Sequence, residues 1–383
     1  MGQQSSGKST IAKIISFCTW VEKDVAISQS LDEYNVNGNF HKKLEDFHCL
    51  NGYFKENTEI CYESDIIKLQ FKNNKCFIEW VDKYAYKRSK TEYIPSERNL
   101  TVLPFIQKVD MPNNNSRNFL FDWLTIRTQY NKRNRVKILD LLVEYYFDEK
   151  TGGNHIISTD KNNKYDILLE NASSGLQSLT PMIIALKYLT EWIYENEEET
   201  SFEKQQKVSK TSDSLYKEFV LKPFELYENK DPKTLSFVKK WENIVSCLTK
   251  THNTQFIIEE PEQNLFPSTQ RDLVYHLLFS LNLERGDRAT ITTHSPYILY
   301  ALNNCMMGYL VETQLQGEEK DEYLKNDILS KQSWINPKYV SIWEIEDGTL
   351  RNIQDKNNMI SENYFGKIMA ELADEILSNV ILL

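Results

Sequence analysis

Near its start the chain reads Gly2-Gln3-Gln4-Ser5-Ser6-Gly7-Lys8-Ser9, which fits the spacing G-x-x-x-x-G-K-S/T at every specified position. Those residue types suit a polyphosphate: glycines let main-chain amides close around the anion, a lysine reaches the terminal phosphates, and a hydroxyl sits on Mg2+. The expected nucleotide contacts are Gly2, Gln4, Ser5, Ser6, Gly7, Lys8, Ser9 and Thr10, with Ser9 also on the metal. Far along the chain, Gln255-Phe256-Ile257-Ile258-Glu259-Glu260 is an apolar run ending in two carboxylates. Where a strand ends and the chain turns, one acid can hold Mg2+ while the next faces an attacking water. Glu259 is assigned to the metal and Glu260 to the water; the alternative is a solvated strand end. A third apolar run, Ala289-Thr290-Ile291-Thr292-Thr293, delivers His294-Ser295-Pro296. His294 can hydrogen-bond the γ-phosphate or the attacking water, the alternative being a structural histidine.

A loop of this kind hangs between a strand and a helix. After it, Ile11, Ile14, Ile15, Cys18 and Val21 recur at helical spacing, but before it stands only Met1. The expectation is that Met1 is an internal residue and that roughly 20 upstream residues supply one or two strands and the adenine contact. Strand signals at residues 92–94, 166–169, 255–258 and 289–293 alternate with helical ones, including residues 268–283, which implies a parallel, doubly wound α/β sheet. Hairpins are expected at Asn73-Asn74 and Asp347-Gly348, and a closing amphipathic helix at residues 365–377. Residues 119–147 are expected to be largely helical, and residues 194–213, charged and polar, to have little order. The resulting division is 1–111 for the first part of the core, 112–165 for a helical arm, and 166–190 for a serine-glycine motif and its helix. Residues 191–250 then form a helical, charged insertion, 251–311 the second part of the core, and 312–383 a hairpin with the closing helix.

With 383 residues, 40% of them hydrophobic and 26% charged, the chain has the composition of a folded globular protein. A net charge of -10 argues against a surface coated by nucleic acid. Lys132, Arg133, Arg135 and Lys137, with Lys87, Arg88 and Lys90, are nevertheless a candidate DNA contact, or else a solvated face. No apolar run approaches the roughly 20 residues that span a bilayer. Cys18, Cys49, Cys61, Cys76, Cys247 and Cys305 form no C-x-x-C pair, and no secretory leader is recognised, so a reducing cytoplasm is expected and a cysteine metal site is not.

The ordered set GQQSSGKST, ASSGLQS, FIIEEPEQNLFP and TTHSPYIL resembles the ABC-type P-loop ATPases of the SMC, RecF and OLD (overcoming lysogenisation defect) group, often grouped with AAA-family ATPases. The motifs reach from Gly2 to Pro296, and the E-P-E-x-x-L-x-P wording, with H-S-P after the third strand, resembles the OLD-like branch more than membrane transporters. The resemblance implies ATP and Mg2+ as ligands, and a signature motif of Ser173, Ser174, Gly175 and Gln177 that reaches the γ-phosphate held by a neighbouring subunit. Without that resemblance, Ser173 or Ser174 reads as an ordinary helix N-cap. It further implies a homodimer or higher homo-oligomer closed around ATP, and an effector nuclease as a separate partner in a DNA-related process such as phage defence. The alternatives are a RecF-like clamp that binds DNA directly, a transporter motor, and a scaffold that binds ATP without hydrolysing it.

Several features depart from that group. The metal-side acid is Glu259 where aspartate is commoner, and no glutamine loop is evident: Pro95-Ser96-Glu97-Arg98 stands in its place, with Gln107 a weaker candidate. Arg98 could contact phosphate, a partner, or a carboxylate in a structural ion pair. No long heptad run is present, and no carboxylate-rich nuclease domain follows His294.

Overall fold

The computed structural model describes residues 1–2, 5–36, 38–196, 202–221 and 232–381. Gln4 lies outside these residues, as does the side chain of Gln107. Helix α1 (Lys8–Ser28) leaves directly from Gly7, whose φ of 95° is left-handed. A β-carbon at Gly7 would meet nothing within 4 Å, so conformation rather than space calls for glycine there. Phe17, Cys18, Val21 and Val25 on α1 pack with α2 (Asn39–His48) and an antiparallel meander of β1 (Glu59–Glu63), β2 (Ile67–Lys72) and β3 (Lys75–Trp80). Asn73 and Asn74, at φ 52° and 58°, close the β2–β3 hairpin, because asparagine tolerates the left-handed backbone such a turn requires.

Next come β4 (Ser89–Ile94) and α3 (Asn115–Ile126), then an antiparallel sheet of β5 (Val136–Lys137), β6 (Val143–Asp148), β7 (Gly153–Ser158) and β8 (Asp166–Leu168). Helices α4 (Ser174–Lys187), α5 (Phe202–Tyr216) and α6 (Pro232–Thr249) precede β9 (Asn253–Glu259), α7 (Pro267–Ser280), β10 (Arg288–Thr292) and α8 (Pro296–Gln314). The hairpin of β11 (Trp343–Glu346) and β12 (Thr349–Asn352) and the helix α9 (Tyr364–Ile381) follow.

The fold is mixed α/β, and its parallel sheet is smaller than the doubly wound one expected. Among the described residues it has three strands in the order β10-β9-β4, with Thr290 opposite Ile257 and Tyr93 opposite Ile257 on the other side. Ile257 and Tyr93 face α1 and pack on Ala12, while Ile94, Phe256 and Ile258 face the large core shared with α3, α4 and β6. This is the period of two that a strand imposes.

Residues 166–168 do form a strand, but antiparallel to β7 and outside that sheet. The helical arm expected at 112–165 is also corrected: only Asn115–Ile126 is α-helical, and 136–168 is the antiparallel sheet. Val143-Glu144-Tyr145-Tyr146-Phe147 is rich in β-branched and aromatic residues, and burial of Val143 and Tyr145 against Val136 and Ile156 favours strands over a helix. Of the polar segment, residues 197–201 lie outside the described residues; residues 202–216 form a helix, and the Thr211 hydroxyl donates to the Ile27 carbonyl at 2.7 Å. Among the described residues no helix is long and apolar enough to cross a membrane.

Candidate functional site

Two positive φ angles, 61° at Ser5 and 95° at Gly7, bend the glycine-rich loop into the start of α1. Lys8, in the first turn of that helix, donates from Nζ to the Gly2 carbonyl at 2.9 Å and to Ser6 Oγ at 3.2 Å, spanning the loop. Burial pulls its ammonium below the usual lysine range, opposed by the charges of Glu260 and Glu262. Gly2 itself forms a parallel bridge with Ile345 of β11, so close that a β-carbon would lie 2.6 Å from the Ile345 carbonyl. Met1 extends that pairing, donating to Trp343 O at 2.7 Å and accepting from Ile345 N at 2.8 Å. The main-chain partner of these first residues is therefore β11.

A cavity of about 530 Å3 opens over the loop. Ser5, Ser6, Gly7, Lys8, Ser9 and Thr10 form its floor, and Tyr53, Glu260 and His294 its wall. Strands β9 and β10 supply that wall because they are parallel and in register, Thr292 opposite Glu259. The pairing runs one step further, the Glu260 amide donating to Thr292 O at 2.9 Å. Glu260 Oε1 then lies 3.4 Å from His294 Nε2.

Glu259 follows the strand alternation and faces α1, where it is buried and accepts a hydrogen bond from the Tyr93 hydroxyl. Burial pushes its carboxyl above the usual carboxylate range; hydrogen bonds from Tyr93 and Ser9 and the Lys13 charge pull it partly back. Glu260 does not follow the alternation. Its φ of 43° is left-handed, uncommon for a residue with a β-carbon, and the turn aims its carboxylate at the cavity.

The His294 amide donates to Glu262 Oε1 at 2.6 Å, which fixes the chain as it leaves β10. Ser295 then caps α8 by accepting from the Tyr297 amide at 3.1 Å, while its own hydroxyl donates to Gln270. With Pro296 at the first helical position, the sequence His-Ser-Pro is a strand end, an N-cap and a helix start in three residues.

The structure therefore brings Ser5, Ser6, Gly7, Lys8, Ser9 and Thr10 together with Glu260 and His294, and places Glu259 beside Ser9. Ser173, Ser174, Gly175 and Gln177 do not line this cavity. Ser173 is the N-cap of α4, accepting from the Leu176 amide at 3.4 Å. Gln177 donates from its side chain to the carbonyls of Glu170 and Ala172, and Gly175 lies so close to Asn264 that a β-carbon would stand 2.9 Å from its carbonyl. Among the described residues Arg98 has no ion-pair partner and does not line the cavity: the side chain is fully buried and donates to main-chain carbonyls. Of the basic residues named as a DNA contact, Lys132 pairs with Asp148, Arg135 with Glu144, Lys137 with Asp140 and Lys90 with Asp122, while Arg88 donates to the Thr249 carbonyl at 2.7 Å.

Tyr53, Tyr93 and Glu262 are additions that sequence reasoning did not make. Glu262 stands in the same E-E-P-E stretch as the two acids, which was the available signal. Tyr93 shows none beyond lying two residues before a proline, and Tyr53 sits in an exposed turn.

Among the described residues no three His, Cys, Asp or Glu side chains gather to hold a metal. The donor set still suits Mg2+, which takes hard oxygens, keeps several waters and uses substrate phosphates as ligands. Ser9 and Glu259, adjoining hydroxyl and carboxylate at the edge of a phosphate-sized loop, are such a pair. No protein-family model matches the chain, and no curated protein matches it significantly.

Proposed function

We propose that the chain binds and hydrolyses ATP, as a P-loop ATPase of the ABC type. The observation that carries this reading is the convergence, on one cavity, of the glycine-lysine-serine loop with Glu260 and His294 from the ends of two adjacent parallel strands. The loop amides and Lys8 receive the phosphates; the helix N-terminus behind them adds favourable dipole. Ser9 and Glu259 would hold Mg2+, whose charge would offset that of the phosphates. Glu260 accepts the proton of the attacking water, and His294, whose Nε2 lies 3.4 Å from Glu260 Oε1, orients that water or the γ-phosphate.

The motif order supports membership of the SMC, RecF and OLD-like group. The resemblance implies that Ser173, Ser174 and Gly175 reach a nucleotide held by a second copy, and on that ground a dimer closed around ATP is proposed. A DNA-related role, phage defence through a separate effector nuclease, is proposed on the OLD-like wording of FIIEEPEQNLFP and HSP. The test is phosphate release from Mg-ATP by the full chain: turnover that disappears in Lys8→Ala supports the reading, and equal release by both proteins rejects it.

A further inference from the structure

Arg98 is an arginine with no exposed surface; among the described residues it makes no ion pair, although the charges of Glu262, Glu260 and Glu97 act on it. Its guanidinium carries five N–H donors, and all five have main-chain acceptors. Nε donates to Ser178 O at 3.1 Å; Nη1 donates to Pro95 O at 3.3 Å and Glu259 O at 3.0 Å; Nη2 donates to Glu260 O and Pro261 O, each at 3.1 Å. Three consecutive carbonyls, from Glu259 to Pro261, thus point at one cation. An extended strand cannot do this, because its carbonyls alternate in direction. The chain must curl, and it curls at Glu260, at φ 43°.

The curl decides where the Glu260 side chain goes. Continued alternation along β9 would put Glu260 on the same side as Ile258, in the core away from α1. The left-handed turn carries it instead to the cavity wall, 3.4 Å from His294. A left-handed non-glycine residue persists only where its surroundings impose it. We infer that Arg98 is a positioning residue for hydrolysis: by gathering the carbonyls of Glu259, Glu260 and Pro261 it imposes the turn that aims the Glu260 carboxylate at the cavity. The same guanidinium, through Ser178, anchors that turn on α4, whose start is tied again by Asn264 Nδ2 donating to Ser178 Oγ at 3.0 Å.

This inference rests on the hydrolytic reading, and a double-mutant cycle separates the two. Arg98→Lys keeps the buried charge but offers three donors on a point-like head in place of a planar fork. The expected result is a folded protein whose ATP affinity stays within about threefold of wild type while kcat falls at least about tenfold, because the loop and Lys8 are untouched. In a Glu260→Gln background the same substitution is expected to change the residual rate less than about twofold, since there is no longer a base to aim. A residue serving stability alone would lower both backgrounds by the same factor, and that result overturns the inference, as does wild-type kcat in Arg98→Lys. Should Arg98→Lys fail to fold, Arg98→Gln carries the same cycle; if neither folds, Arg98 serves the fold and the inference is rejected. Unchanged turnover in Glu260→Gln alone would instead reject the hydrolytic reading, whatever Arg98 does.

Discussion

Glu260 Oε1 and His294 Nε2 stand 3.4 Å apart at the rim of the cavity, although one follows β9 and the other β10. The contact exists because parallel strands in register present their carboxyl ends side by side, which is where ligands gather in open α/β sheets. It makes the acid and the histidine one unit, held from behind by Glu262 on the His294 amide and by Arg98 on the Glu260 carbonyl.

Removing the histidine is expected to slow hydrolysis without abolishing nucleotide binding. His294→Ala should lower kcat by about tenfold to a hundredfold, the usual range for losing one positioned proton-transfer or hydrogen-bonding group. Steady-state phosphate release, paired with a calorimetric ATP titration, measures both. Full turnover in this variant would show that the histidine only fills the strand end.

The Tyr93–Glu259 hydrogen bond yields a pH-dependent expectation. Burial raises the Glu259 carboxyl, so its protonation competes with Mg2+ at a higher pH than for an ordinary carboxylate, and the Tyr93 hydroxyl counteracts part of that rise. In Tyr93→Phe the counteraction is lost and the carboxyl rises further. Mg2+ affinity in the presence of ATP should therefore weaken severalfold near pH 6 and stay close to wild type near pH 8.5. A weakening of equal size at both pH values would place Tyr93's role in packing alone.

Much of this site is legible in the sequence, and the physical reason is local. The loop is a contiguous spacing rule, and β9 and β10 are short apolar runs ending in charged or polar residues, so Lys8, Ser9, Glu259, Glu260 and His294 can be read from neighbours alone. The hairpin turns at Asn73-Asn74 and Asp347-Gly348 are likewise set by local backbone preference. What is not legible depends on tertiary contact. Arg98 finds four of its five acceptors on α4 and at or just past the end of β9, all distant in sequence, and carbonyls bear no residue-type signature. Residues 136–148 mix aromatic and aliphatic side chains at spacings that suit a helix as well as a strand, and only pairing with β7 decides between them.

Glu92 lies on the opposite face of β4 from Tyr93, buried, with Asp122 nearby. Burial, followed by the Asp122 charge, pushes its carboxyl well above 4.5. A raised folded-state value means that the stabilising contribution is complete below the unfolded-state value and is lost as pH rises through the folded one. Glu92→Gln removes that proton linkage, so it should raise Tm by a few degrees at pH 8 and by less at pH 5. Thermal melts at the two pH values check this; the same shift at both, or a fall at pH 8, would contradict it.

The central claim is that Glu260 is the base for hydrolysis in a site that binds ATP independently of it. Measured on one preparation, Glu260→Gln should bind Mg-ATP as tightly as wild type, within about threefold, while kcat for phosphate release falls by roughly a hundredfold or more. Wild-type turnover in Glu260→Gln, or loss of ATP binding and turnover together, would contradict it.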